Sequence, residues 1–189
     1  MLVIVTSPLR GAGSLVAAKG ERLETRTLMT RQARGRKATP VAREQVLLFR
    51  VGEEVYGIAV QGLWEVLSPE GVTGLPTPAH QICTSLAYRG RKFPLVRLSE
   101  LFGVSVNSVP PTSRVLLTQA QGRALGLLVD EVVGMADVDP AIIARVPTLA
   151  TLLNPAFFRG VFSRGNRVVL LVSGDGLGSL SEVASFFEE

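Results

Sequence analysis

The chain has 189 residues, 47% of them apolar, 19% charged and 6% aromatic, with a net charge of +4. That length and apolar content suit one medium domain or two small subdomains around a shared core, and argue against wholesale disorder. A single cysteine, Cys83, and a single histidine, His80, exclude a disulfide framework, a thiolate metal cluster and a His-rich metal site, and fit a reducing cytosolic compartment.

The charge is unevenly divided. Residues 1–43 hold nine Lys/Arg and two Glu, a local charge of +7, whereas residues 44–189 hold eleven Lys/Arg and fourteen Asp/Glu, a local charge of −3. The basic segment reads as a flexible N-terminal extension. It lacks the apolar core of a secretory signal, and no run of about eighteen uncharged apolar residues follows anywhere in the chain. Gly11-Ala12-Gly13 echoes a phosphate-binding turn, but Val16 stands where the third glycine belongs. Met29, just ahead of the patterned region, offers an alternative start.

From residue 44 the pattern has the period of strands. Val46 to Val51 is a dense run of branched and aromatic residues, Gly52-Glu53-Glu54 a turn, and Tyr56, Ile58 and Val60 share one face of the next strand. Leu63 to Leu67 continues the apolar character. Pro69, Gly71, Gly74, Pro76 and Pro78 then rule out a long helix. The programme runs again at an offset of 69, where Val115 to Thr118, a Gln121-Gly122-Arg123 turn and Ala124 to Val129 put Gly126 in the place of Gly57. Leu75-Pro76-Thr77 recurs as Val146-Pro147-Thr148, and Arg89-Gly90 as Arg164-Gly165. Such a repeat predicts two β subdomains, about 44–110 and 111–180, each near the lower limit for an independent core and so expected to share an apolar face. Gly57 and Gly126, inside strands, predict tight bends or close backbone approach; Gly90 and Gly165 predict hairpin turns. A short helix is expected near Ser99–Phe102 and a C-terminal one over 181–189, with Ser181 as its N-cap.

The order of these elements resembles the CheW family of chemotaxis coupling proteins over residues 44–185. It is carried by Phe49-x-Val-Gly-Glu-Glu-x-Tyr56-Gly57-Ile58, Leu63-Trp64-Glu65-Val66, Val72-Thr73-x-Leu75-Pro76, Arg89-Gly90 with Pro94-Leu95-Val96-x-Leu98, and Gly126-Leu127-Leu128-Val129-Asp130-Glu131-Val132. The resemblance implies a mainly β fold of two five-stranded SH3-like barrels packed side by side with short helices. It implies no catalysis and no cofactor or metal. The implied role is that of an adaptor joining the tips of membrane receptors to the regulatory domain of a CheA-type histidine kinase. It also implies a cytoplasmic protein recruited to receptor arrays through those partners. By position, Glu65 and Arg89 match residues in the family's contact region, and Leu63, Leu67, Ile58 and Val60 could supply an apolar strip for a helix-in-groove contact, with Trp64 as wall or anchor. The structural alternatives are a solvated hairpin arginine, a locally paired glutamate and a core tryptophan. Thr84-Ser85 and Arg97 depart from the family pattern, Arg97 by reversing the charge of the usual aspartate.

Other chemistries find little footing. His80 and Cys83 lack further ligands, no serine sits in a nucleophile elbow with His80 and Asp130, and Gly174 to Gly178 reads as a turn too near the C-terminus for a nucleotide fold. The functional alternative is a nucleic-acid-binding β-barrel module using the basic tail, against which stand the −3 body and the sparse aromatics.

Overall fold

The computed structural model describes residues 42–71, 82–104, 109–147 and 153–188. Residues 1–41 of the basic extension, with the Met29 start, the Val72-to-Pro76 motif and His80 lie outside the described residues. Among the described residues, ten strands form two five-stranded sheets. The first hairpin, β1 (Glu44–Val51) and β2 (Glu54–Ala59), is followed by β3 (Leu63–Leu67), β4 (Cys83–Tyr88), β5 (Arg91–Arg97) and a short helix α1 (Leu98–Leu101). The second hairpin, β6 (Arg114–Ala120) and β7 (Arg123–Val129), is followed by β8 (Glu131–Val138), β9 (Phe158–Arg164), β10 (Arg167–Val172) and two helices, α2 (Gly174–Gly178) and α3 (Ser181–Glu188).

The repeat is visible in this order, but the sheets do not divide where the repeats do. One sheet runs β8-β1-β2-β10-β9 and the other β3-β6-β7-β5-β4. Each barrel thus takes its central hairpin from one repeat and its remaining three strands from the other. The subdomains expected at 44–110 and 111–180 are therefore corrected to an interleaved pair. The exchange is sealed by two parallel pairings in equivalent places, β2 with β10 (Gly57 opposite Leu171) and β7 with β5 (Gly126 opposite Leu95). A sequence repeat reports the order of strands, whereas pairing is decided by which edges are buried together.

The hairpins explain the dense apolar run of β1. Leu47, Phe49 and Val51 face a core shared by both barrels, with Val96, Leu116, Leu127 and Val129 from the other sheet, while Val46 and Leu48 fill the interior of their own barrel. Burial on both faces replaces polar alternation with a continuous hydrophobic sequence. An aromatic cluster seals one side of the shared core: Tyr56 lies 4.8 Å from Phe102 and 6.5 Å from Phe158, ring centre to ring centre. Burial, then the nearby Glu54 charge, pushes the Tyr56 phenol above its ordinary pKa.

Turn chemistry follows the hairpin rule. Arg89 (φ 49°) and Gly90 (φ 74°) form the two-residue β4–β5 turn, and Gln121 (φ 50°) and Gly122 (φ 80°) the β6–β7 turn, both central residues being left-handed as the strand twist requires. A carboxylate fastens each central hairpin: Asp130 Oδ2 accepts from the Gly52 N–H, and Asp175 Oδ1 from the Gln121 N–H, both at 2.6 Å. The glycine-rich stretch 174–178, expected to be a turn, is instead the helix α2, because Ser173 caps it by accepting from the Gly176 N–H at 3.1 Å. Ser181 is the first residue of α3 rather than its cap; its hydroxyl donates to Glu182.

Gly57 and Gly126 are sites of close approach. A Cβ at Gly57 would lie 2.6 Å from Val46 Cγ1 and 2.9 Å from Leu171 Cδ2, and one at Gly126 3.0 Å from Leu95 Cδ1. Of the two departures from the family pattern, Arg97 is 2% exposed and lies 3.5 Å from Glu100, so its charge is spent inside the fold and does not meet a partner surface. Thr84 Oγ1 is buried without a hydrogen-bond partner.

Three outcomes follow from this packing. Fragments 44–110 and 111–180, made separately, should lack cooperative melting by circular dichroism and gain it on mixing. Gly57→Val should destabilise by about 2 kcal/mol through overpacking, lowering Tm by roughly 4–8 °C, and Gly57→Ala should cost more than Gly126→Ala in the same melt. Thr84→Val should raise stability by about 1 kcal/mol, read as a later urea midpoint at unchanged slope, because it removes a stranded hydroxyl.

Candidate partner-binding surface

The surface begins at β3, an edge strand. Its pairing to β6 slips between Leu63 and Glu65, so Trp64 is bulged out of register and stands 53% exposed. The equivalent edge strand β8 slips against β1 in the same place, between Val132 and Gly134, leaving Val133 43% exposed. Bulges at sheet edges both blunt the edge against unwanted pairing and re-aim a side chain. Val66 and Met135, two residues further on, are also exposed.

Glu65 sits beside Trp64. One carboxylate oxygen, Oε1, accepts from the Tyr88 hydroxyl at 2.9 Å and from Arg89 Nη2 at 3.2 Å. The Arg89 guanidinium also lies over the Tyr88 ring, 4.9 Å from its centre. Lost hydration, then the hydrogen bond to Glu65, pushes the Tyr88 phenol above its ordinary pKa. Arg89 is placed by the left-handed turn, a conformation that a side-chain-bearing residue adopts at some cost. The pair is open to water, Arg89 more than Glu65, and an ion pair so exposed adds only about 0–1 kcal/mol to stability. What this geometry supplies is a fixed orientation for one acid, one phenol and one cation at the barrel edge.

The expected apolar strip is not continuous. Leu67 points into its own barrel with Leu86 and Leu95, and is corrected from surface to core. Ile58 belongs to the shared core at 3% exposure, reaching only the floor of a cleft where the barrels meet. Val60 and Leu63 are half-buried against that same core. Period-two reading places Ile58 and Val60 on one face, but cannot say that the second barrel already covers it. The cleft itself, about 430 Å³, is of mixed character, with Thr118, Gln119, Arg159 and Asp175 beside Ile58 and Val172. Arg159 is tied to Glu44 at 2.7 Å.

Tyr88 carries no signal of its own in the sequence: β3 and β4 lie at the two ends of the strand order, and only the closing of the sheet brings its hydroxyl to Glu65. Cys83 is no activated thiol: burial, with the Glu182 charge adding to it, pushes its pKa up. Among the described residues no helix is long and apolar enough to cross a membrane, and no group of three or more His, Cys, Asp or Glu could hold a metal ion.

Comparison with known proteins agrees with this architecture. Residues 45–182 match the family model of the CheW-like domain. The chain is 27% identical to the chemotaxis protein CheW of Rhizobium meliloti over 135 residues, covering 70% of this chain and 86% of that protein. It is 30% identical to the protein PilI of Pseudomonas aeruginosa over 117 residues, 61% of this chain and 65% of that one. Among solved structures, the scaffolding protein TtCheW of Thermoanaerobacter tengcongensis superposes with a TM-score of 0.65 at 22% identity, over 75% of this chain and 96% of that one, a likeness of fold. With the family model spanning both interleaved barrels from β1 into α3, the chain belongs to the CheW-like domain family.

Proposed function

We propose that the chain is a non-catalytic adaptor that holds the tip of a chemoreceptor and the regulatory domain of a CheA-type histidine kinase in fixed relative geometry. It works in the cytoplasm and reaches membrane-associated arrays through those partners. Binding two partners at once raises their effective concentration for one another and lets the state of one bias the other. The observation that carries the reading is the Glu65–Tyr88–Arg89 cluster beside the bulged Trp64, mounted on the edge of a rigid double barrel of this family. Exposed charges that contribute little to stability serve to select a partner and set its register. The contact set is Glu65, Arg89 and Trp64, flanked by Val60 and Leu63; Ile58 and Leu67 act from beneath, as packing.

The alternative of a nucleic-acid module gains no support. The matched region excludes the basic segment, and the body carries the wrong sign for phosphate.

The test is a titration with the isolated regulatory domain of a CheA-type kinase. Arg89→Glu should weaken binding by about tenfold or more, while Tm stays within a few degrees because the side chain is exposed. Folded wild-type protein that fails to bind at concentrations on the order of tens of micromolar would overturn the reading.

A further inference from the structure

A second surface lies on the same barrel, apart from the Glu65–Arg89 cluster. Helix α3 packs across the end of β5, and between them and the bulge of β3 runs a groove of about 400 Å³. Trp64, Phe93, Phe186 and Phe187 give it apolar walls; Arg91, Lys92 and Arg123 stand along it. Neither Glu65 nor Arg89 lines it.

Two properties set this groove apart from an ordinary solvated face. First, its aromatic walls are incompletely covered: Trp64 is 53% exposed, and Phe186 and Phe187 on α3 are half-buried, Phe187 with one side against the shared core. Second, its three cations are exposed and have no carboxylate partner among the described residues. Arg123 instead lays its guanidinium over the Phe187 ring, 5.3 Å from the centre. Glu188 shares an adjoining recess with Arg123 and Phe187 and makes no ion pair with Arg123. An unneutralised cationic rim around aromatic walls is complementary to a ligand that brings both apolar side chains and negative charge.

We infer that this groove docks an acidic amphipathic peptide segment of a partner protein, one that inserts Leu, Phe or similar side chains between Trp64 and Phe187 and places Asp or Glu against Arg91, Lys92 and Arg123. The chain's own N-terminal segment is disfavoured as occupant, because its +7 charge repels the same cations. A nucleic acid would also find aromatic faces and cations, but its continuous phosphate charge meets a body of −3, and the ring face of Phe187 is already taken by Arg123. Charge at the rim steers encounter and sets register, while the buried apolar side chains supply affinity, so binding weakens with salt without vanishing.

The experiment is a selection of random 16-residue displayed peptides on the full chain, followed by titration of the recovered peptides. The expected winners carry net negative charge with apolar residues three or four apart. They should bind at least tenfold more weakly to Lys92→Glu/Arg123→Glu and to Trp64→Ala, both of surface residues, with melting checked for each. Peptides remade with Lys for each Asp and Glu should prefer the charge-reversed chain. Arg89→Glu should bind the selected peptides as the wild type does, which separates this groove from the Glu65–Arg89 cluster, Trp64 bordering both. Recovery of no peptide, or of neutral or basic ones, or affinity unmoved by the reversal, would overturn the proposal. So would a labelled twenty-residue oligothymidylate that binds the groove in their place.

Discussion

Everything in this fold depends on a hydrophobic layer that neither barrel owns. Leu47, Phe49 and Val51 from one central hairpin meet Leu116, Leu127 and Val129 from the other, and each hairpin spends its opposite face on its own barrel. A unit of about 70 residues buries so small a fraction of its surface that its stability alone is marginal. Pooling the outward faces of two such units removes that deficit, and exchanging strands between the repeats makes the pooling obligatory, since β1 and β2 have no neighbours except β8 and β10.

That obligatory core also explains where function sits. The inner strands are buried on both faces over most of their length, so their exposed groups lie at the strand ends, as Arg91, Lys92 and Arg123 do. Among the edge strands, β3 and β8 are bulged at equivalent residues, which blunts them against further pairing while turning Trp64 and Val133 outward. At β3 the neighbouring turn adds Arg89 and Tyr88, so one edge gathers a carboxylate, a phenol, a cation and a large aromatic ring. At the other side of the same bulge the C-terminal helix adds Phe186 and Phe187 opposite Arg91, Lys92 and Arg123. A single exposed strand thus borders two surfaces of different chemistry, one centred on an acid held by a tyrosine and an arginine, the other on aromatics ringed by cations.

Rigidity in such a scaffold is functional. An adaptor that transmits the state of one partner to another must not absorb the change, and each central hairpin turn is tied down by a carboxylate, Asp130 on one and Asp175 on the other. The buried Arg97 belongs to this internal framework: what the sequence presents as a reversed charge is, in three dimensions, an interior group near Glu100.

Composition and pattern by themselves determined a β protein built twice, with glycines at Gly57 and Gly126 where backbone and side chains crowd, left-handed Arg-Gly and Gln-Gly turns, and an acidic body behind a basic segment. These are local properties, written in period, turn residues and charge. Tertiary structure alone decided that the two copies exchange strands, that Ile58 and Leu67 are interior while Trp64 and Val66 are not, and that Tyr88 joins Glu65. The reason is that a strand's apolar face is equally well satisfied by its own barrel, by a neighbouring barrel or by a partner, and only the completed packing shows which of the three has covered it.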